Sequence, residues 1–181
     1  MFNELQKKEL LALAREAIGS HFDHHRIVLP SEADFAVLRG LFVTLHKGAE
    51  LRGCIGYIKG FKPLARSVVE LAQAAAFNDP RFAPLEQQDL SKVTLEISVL
   101  GELIPLKKSE MPEIGRDGLY IIHPYGSGLL LPQVAVEWHW DAGTFLREVC
   151  RKAGLKPHAY KDPDAVVYRF TAEIFSETGT F

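Results

Sequence analysis

Apolar positions along this chain follow two periods, and the switches between them mark out its elements. Between Asn3 and Ile18 the period is helical. Leu10, Leu13, Ala14 and Ala17 fall on one stripe, with Leu11 and Ile18 at its edge. Asn3 is placed to cap this helix, with Gln6 three residues on, and Gly19 supplies a stop. A polar, turn-like stretch runs on to Ser31. From Phe35 to Leu45 the pattern becomes strand-like, with Leu41, Val43 and Leu45 on one face. A turn over residues 46–50 leads into a second strand, so the two are expected to form a hairpin. Pro63 suits the first turn of a second helix reaching Phe77, with Leu64, Val68, Leu71 and Ala75 as its buried stripe. Asn78-Asp79-Pro80-Arg81-Phe82 ends it. Val93, Leu95, Ile97 and Val99 alternate with Thr94, Glu96 and Ser98 in a half-buried strand ending at Leu100. Residues 119–122 and 129–131 read as two strands around a Tyr125–Gly128 turn. Asp141 caps a helix from Ala142 to Ala153, closed by Gly154, and residues 166–175 read as one long last strand with Val166, Tyr168, Phe170, Ala172 and Ile174 inward.

Long alternating strands favour a largely antiparallel or mixed sheet over a doubly wound parallel one. The expected class is α+β, a sheet flanked by helices. With no internal repeat, low-complexity stretch or linker, residues 1–181 read as one domain, with a smaller lobe available from the segment after Gly101.

The second arm of the predicted hairpin carries the candidate chemistry. Residues 51–56 read Leu-Arg-Gly-Cys-Ile-Gly. Glycine is disfavoured inside strands unless something approaches the backbone closely. Strict alternation puts Arg52, Cys54 and Gly56 on one face, with Leu51, Gly53, Ile55 and Tyr57 toward a core. Arg52 and Cys54 are then roughly 7 Å apart at the backbone, within reach of an arginine head. A cation that lowers the thiol pKa makes Cys54 a nucleophile, and Gly56 leaves room for a substrate. Alternatively, Cys54 is a small packed residue and the glycines mark a bulge or tight packing.

Composition narrows the field. The chain is 47% apolar and 24% charged, an ordinary globular balance, so wholesale disorder is not expected. A net charge of −2, with no basic run, argues against nucleic-acid binding. The only cysteines are Cys54 and Cys150, without a Cys-x-x-Cys pair, so neither a disulfide framework nor a structural metal site is expected, and no cofactor is called for. The chain shows no signal-peptide pattern and no apolar run of membrane-spanning length, so a cytoplasmic protein with reduced thiols, free of the membrane, is expected.

A nucleophile needs a base, and His46, His123, His139 and His158 are the candidates. None sits in a hydrolase motif, and no Gly-x-Ser-x-Gly elbow is present. His21, His24 and His25 cluster with Asp23 at a spacing that matches no familiar metal site. Glu96 and Ser98 lie on a polar strand face, and Glu96 can pair with Arg52 if the two strands are neighbours. Trp138-His139-Trp140 beside Glu137 offers aromatic faces to a planar ligand or anchors for a helix entry. Asp79-Pro80-Arg81-Phe82 reads as an Asp/Arg turn with an apolar anchor, or as a structural turn leading out of the second helix.

Several of these segments together resemble the AMMECR domain family, whose bacterial and archaeal members are called protein A of the AmmeMemoRadiSam system. They are Leu-Arg-Gly-Cys-Ile-Gly at 51–56, Asp-Pro-Arg-Phe at 79–82, Glu-Ile-Ser-Val-Leu at 96–100, Leu-Pro-Gln-Val at 131–134 and Lys-Ala-Gly-Leu at 152–155. The resemblance implies an antiparallel-type α+β fold in two unequal lobes, and association with a Memo-like protein and a radical SAM protein. It implies no settled reaction. Many members carry a histidine in a Gly-x-His-Gly-Leu-like segment. Here the stretch is Gly115-Arg116-Asp117-Gly118-Leu119, so no role carries over from it. Carried onto this chain, the motifs place Arg52 and Cys54 at the site, with Gly53, Gly56, Glu96, Ser98, Gln133 and Glu137 as lining residues and Lys152 as an anion contact. The function expected is a small-molecule- or protein-modifying role centred on the hexapeptide. The alternative is a non-catalytic adaptor in which Cys54 is structural.

Overall fold

The computed structural model describes residues 1–31 and 34–180, and the chain divides into two compact units. The larger comprises Met1–Leu100 and the segment from Glu173 onward, and the smaller is Gly101–Ala172.

The larger unit opens with helix α1, Glu4–Asp23. Its start is set as the sequence predicts: the Asn3 side chain accepts from the Gln6 N–H, and the Gln6 side chain accepts from the Asn3 N–H. Its end is not. The helix runs through Gly19, because the last turn has packing to gain: Ser20 is buried, and His21 stacks on Phe77 with centroids 4.0 Å apart. The stop comes at His24, whose N–H still donates to the Ser20 carbonyl and whose left-handed φ of 54° turns the following chain out of the helix.

Strand β1, Leu41–Lys47, and strand β2, Glu50–Tyr57, form the expected hairpin. Residues 36–40, read as strand, lie outside it. Phe35 is nonetheless fully buried, and its carbonyl accepts from the N–H of Leu64, tying that segment to helix α2, Leu64–Phe77. A 3-10 turn, Gln87–Lys92, precedes β3, Thr94–Leu100. β1 lies between β2 and β3 and pairs antiparallel with both. The sheet is completed by β8, Ala172–Ser176, and β9, Gly179–Thr180, in the order β2-β1-β3-β8-β9. Leu41, Val43 and Leu45 of β1 and Leu95, Ile97 and Val99 of β3 point into one core with the buried stripes of α1 and α2. The other face carries Phe42, Thr44, Glu96 and Ser98.

The smaller unit holds β4, Ile104–Pro105, β5, Gly118–His123, β6, Gly126–Leu130, and β7, Val166–Phe170, in the antiparallel order β4-β7-β5-β6. Its helices are α3, Pro132–Glu137, and α4, Ala142–Lys152. The Asp141 side chain caps α4 as predicted, accepting from the Thr144 N–H. Phe145, Leu146, Val149 and Cys150 of α4 bury against Leu119, Ile121 and Val167. Helix α3 follows from Pro132 at its first turn, a signal the apolar pattern alone does not carry.

The expected long strand over 166–175 is two strands. Thr171 separates β7 from β8, and each belongs to a different sheet. Alternation breaks there too. Val167 and Phe170 are buried before it and Phe175 after it, while Val166 is 43% exposed. Both units are antiparallel sheets with helices, the α+β class expected. Among the described residues no helix is long and apolar enough to cross a membrane.

Candidate functional site

The hexapeptide strand is an edge strand, and one irregularity decides how its side chains point. Down the hairpin Leu41 pairs with Tyr57, Val43 with Ile55, Thr44 with Cys54 and Leu45 with Gly53, but His46 pairs with Leu51. Arg52 is the extra residue of a β-bulge, which leaves it unpaired and re-aims its side chain. The predicted faces hold from Gly53 to Tyr57 and fail before it. Leu51, assigned to the core, is 40% exposed. The Arg52 head is committed to the segment after Asp79 and Arg81, away from the Cys54 sulfur. Its Nη2 donates to the Ala83 carbonyl at 2.7 Å, and its guanidinium lies over the Phe82 ring, 5.9 Å from the centroid.

Both hexapeptide glycines answer to neighbours within the unit. A Cβ on Gly53 would sit 2.1 Å from the Ala75 carbonyl oxygen, so glycine lets α2 rest directly on the strand. A Cβ on Gly56 would meet the Phe42 ring at 2.2 Å. The room expected there for a substrate is filled by the ring of the residue paired across the hairpin.

Cys54 is held by its main chain. Thr44 and Cys54 form a pair whose side chains approach, and the Thr44 hydroxyl donates to Sγ at 3.3 Å. The Cys54 N–H and C=O turn outward to the free edge of the sheet, where Asp79 and Arg81 take them. Asp79 Oδ2 accepts from the Cys54 N–H at 2.9 Å, and Arg81 Nη2 donates to the Cys54 carbonyl at 3.2 Å. The two side chains are joined in turn, Arg81 Nε to Asp79 Oδ1 at 2.9 Å and Nη2 to Oδ2 at 2.7 Å. Asp79 and Arg81 therefore stand in for a neighbouring strand at one residue of the edge. Asp79 is buried, and the Arg81 guanidinium holds its carboxyl well below the usual carboxylate range.

Burial is the largest influence on the Cys54 thiol and pushes its pKa up. The Thr44 hydroxyl and the Arg81 charge act the other way, while Asp79 and Glu96 add to the rise. No histidine is among these groups. Burial likewise pushes up the thiol of Cys150, which is wholly enclosed in the smaller unit.

The remaining predicted residues divide between the two units. Glu96 lies on β3 opposite Thr44 of β1, so β1 stands between its strand and the hexapeptide strand, and the two strands are not the neighbours that the expected Glu96–Arg52 pairing requires. Ser98 is on the same face, fully buried, with no partner for its hydroxyl among the described residues. In the smaller unit Gln133 and Glu137 lie on α3 and Lys152 ends α4. Gln133 Oε1 is likewise buried without a partner. Thr44 carries no functional signal in the sequence, where Asp79 and Arg81 read as a turn. A clue was the placement of Asp-Pro-Arg directly after a helix that packs on a glycine-bearing strand. Among the described residues no three His, Cys, Asp or Glu side chains are grouped to hold a metal ion. A cleft of about 570 Å³ lies in the larger unit, lined by α1 residues including Lys7, Leu11 and Arg15 and by Phe175 and Glu177, with no hexapeptide residue in its wall.

The AMMECR1 family model matches residues 11–175, most of the chain and both units. The chain belongs to the AMMECR1 family. An AMMECR1-family relative from Methanothermobacter thermautotrophicus is 44% identical, over 95% of this chain and 94% of its own. Another from Thermococcus kodakarensis is 44% identical, over 93% of this chain and 88% of its own. The crystal structure of an uncharacterised Pyrococcus horikoshii protein matches with a TM-score of 0.84 at 38% identity, covering 94% of this chain and 91% of that one. The fold is thus shared over most of the chain, and none of these relatives' names carries an activity.

Proposed function

We propose that this AMMECR1 protein is a binding module, and that its recognition surface is the β2 edge built from Arg52, Cys54, Asp79, Arg81 and Phe82. The observation that carries this reading is the direction of Arg52. A nucleophilic Cys54 needs cationic support strong enough to hold the thiolate against burial; Arg52 is committed to the Ala83 carbonyl and the Phe82 ring, and the Arg81 charge is outweighed by burial. Burial favours the neutral thiol. In this reading Cys54 is a small packed side chain whose main chain is fixed by Asp79 and Arg81. The partners proposed for the surface are those the family resemblance implies, a Memo-like protein and a radical SAM protein.

Alkylation of Cys54 by iodoacetamide across pH, read by peptide mass, tests this. The expected result is slow reaction at neutral pH, with a midpoint above the ordinary thiol value of about 8.5, and co-purification with the Memo-like partner that survives Cys54→Ser. Fast alkylation at pH 7 that levels off there would mean a stabilised thiolate and would overturn the binding reading in favour of catalysis.

A further inference from the structure

Two guanidinium groups converge on one phenylalanine ring at this edge. Arg52 Cζ lies 5.9 Å and Arg81 Cζ 5.4 Å from the Phe82 centroid. Their commitments differ. Arg81 gives Nε and Nη2 to Asp79 and the Cys54 carbonyl, which leaves its Nη1 without a hydrogen bond among the described residues. Arg52 forms no ion pair among the described residues. Only its Nη2 is bonded, and its Nη1 is buried with no acceptor. A buried N–H without an acceptor is costly, more so on a charged group. The Arg81 charge is met by the Asp79 carboxylate, while the Arg52 guanidinium is held by a neutral carbonyl and a ring.

We propose that Arg52 and Arg81 form an oxyanion site, closed by Phe82, for a phosphate or carboxylate group. The proposal rests on the binding reading above and names what that surface binds. The planar fork of arginine matches both oxyanions, and a bidentate contact at Arg52 supplies the acceptor its Nη1 lacks. Phe82 is only half-buried and is followed by the exposed Ala83 and Pro84, so the ring covering Arg52 sits on an exposed segment of chain. Entry of the anion moves that ring aside.

The test is an NMR titration of the full chain with sodium phosphate, and separately with sodium acetate, each against sodium chloride at matched ionic strength. The signals followed are the arginine Nε–H groups and the amides of Phe82 and Ala83. A saturating shift is expected with at least one oxyanion and not with chloride, and the arm that saturates assigns phosphate, carboxylate or both. Arg52→Gln is expected to weaken binding at least tenfold while the amides of α1 and β3, in the same unit as Arg52, keep their positions, which shows that the variant is folded. Arg52→Lys, which keeps the charge without the fork, is expected to fall between. Shifts that track ionic strength alone, or an unchanged constant in Arg52→Gln, would overturn the proposal. These outcomes are separate from the alkylation result: rapid alkylation with intact anion binding defeats only the binding-module reading, and slow alkylation without anion binding defeats only the oxyanion site.

Discussion

Replacing Asp79 should loosen the β2 edge at one residue before it affects anything else. The carboxylate accepts four bonds: the Cys54 N–H at 2.9 Å, the Arg81 N–H at 3.1 Å, Arg81 Nε at 2.9 Å and Arg81 Nη2 at 2.7 Å. Asp79→Ala removes all four. Arg81 is half exposed, so water compensates much of its loss. The Cys54 N–H and the cavity left by a buried side chain are not so compensated. The expected cost is about 2–3 kcal/mol, toward the lower range for breaking a buried pair. Asp79→Asn keeps the shape and one acceptor, and should cost about 1–2 kcal/mol. The sign of the pH dependence follows from the lowered pKa. The folded carboxyl ionises more readily than the unfolded one, near 3.9, so its contribution is complete above that value and is lost as acid protonates the folded form. The difference between wild type and Asp79→Asn should therefore be constant from pH 7 to about 5 and shrink below about 4. Urea unfolding at each pH gives the difference, and amide exchange gives its location: the Cys54 amide should lose protection by more than about tenfold relative to Ile55. A loss under about 0.5 kcal/mol at pH 7, or a difference that does not change between pH 7 and 3, would refute the clamp.

Three further expectations rest on separate features. Gly53→Ala puts a Cβ 2.1 Å from the Ala75 carbonyl, so α2 and β2 must part by nearly an ångström. It should destabilise by about 2–3 kcal/mol in urea unfolding, and a loss below about 0.5 kcal/mol would show that glycine is not needed there. Gly56→Ala meets a side-chain ring as well as the Leu41 carbonyl, so part of the clash is relieved by rotating Phe42, and its cost should be the smaller of the two in the same assay. Asn3→Ala removes the reciprocal cap of α1 and should cost about 1 kcal/mol, seen as a lower thermal midpoint and faster amide exchange at Gln6.

What could be read beforehand was what local chemistry decides. The Asn3 and Asp141 caps, the alternation of Val93–Val99 and the hairpin all follow from short-range pattern, and the structure has them. What escaped was decided at long range. Alternation cannot reveal a bulge, because one extra residue at Arg52 leaves a pattern that still looks like a strand, yet it sets Leu51 opposite His46 and out of the core. Gly19 reads as a stop only until His21 is seen stacked on Phe77. Thr171 is unremarkable in sequence, yet the strand changes sheets there. At the site, the two glycines correctly pointed to a close backbone approach, but the approaching groups, Ala75 and Phe42, lie within the unit. Asp79 and Arg81 were visible as a turn, and their hold on Cys54 needed the third dimension.

The change of sheets at Thr171 also sets an order of events for a chain leaving the ribosome. The five-stranded sheet takes β1, β2 and β3 from before the smaller unit, and β8 and β9 from after it. When the hairpin and α2 have emerged, β3 is still an open edge with no β8 beside it. It stays so while all of Gly101–Ala172 is synthesised, although that unit has its own sheet and core and can collapse in the meantime. The closure of β8 on β3 is a distant contact made late, the kind that slows folding and leaves a strand edge open to the wrong partner. The larger unit begins first and finishes last, and its nascent form is the one a chaperone would be expected to meet.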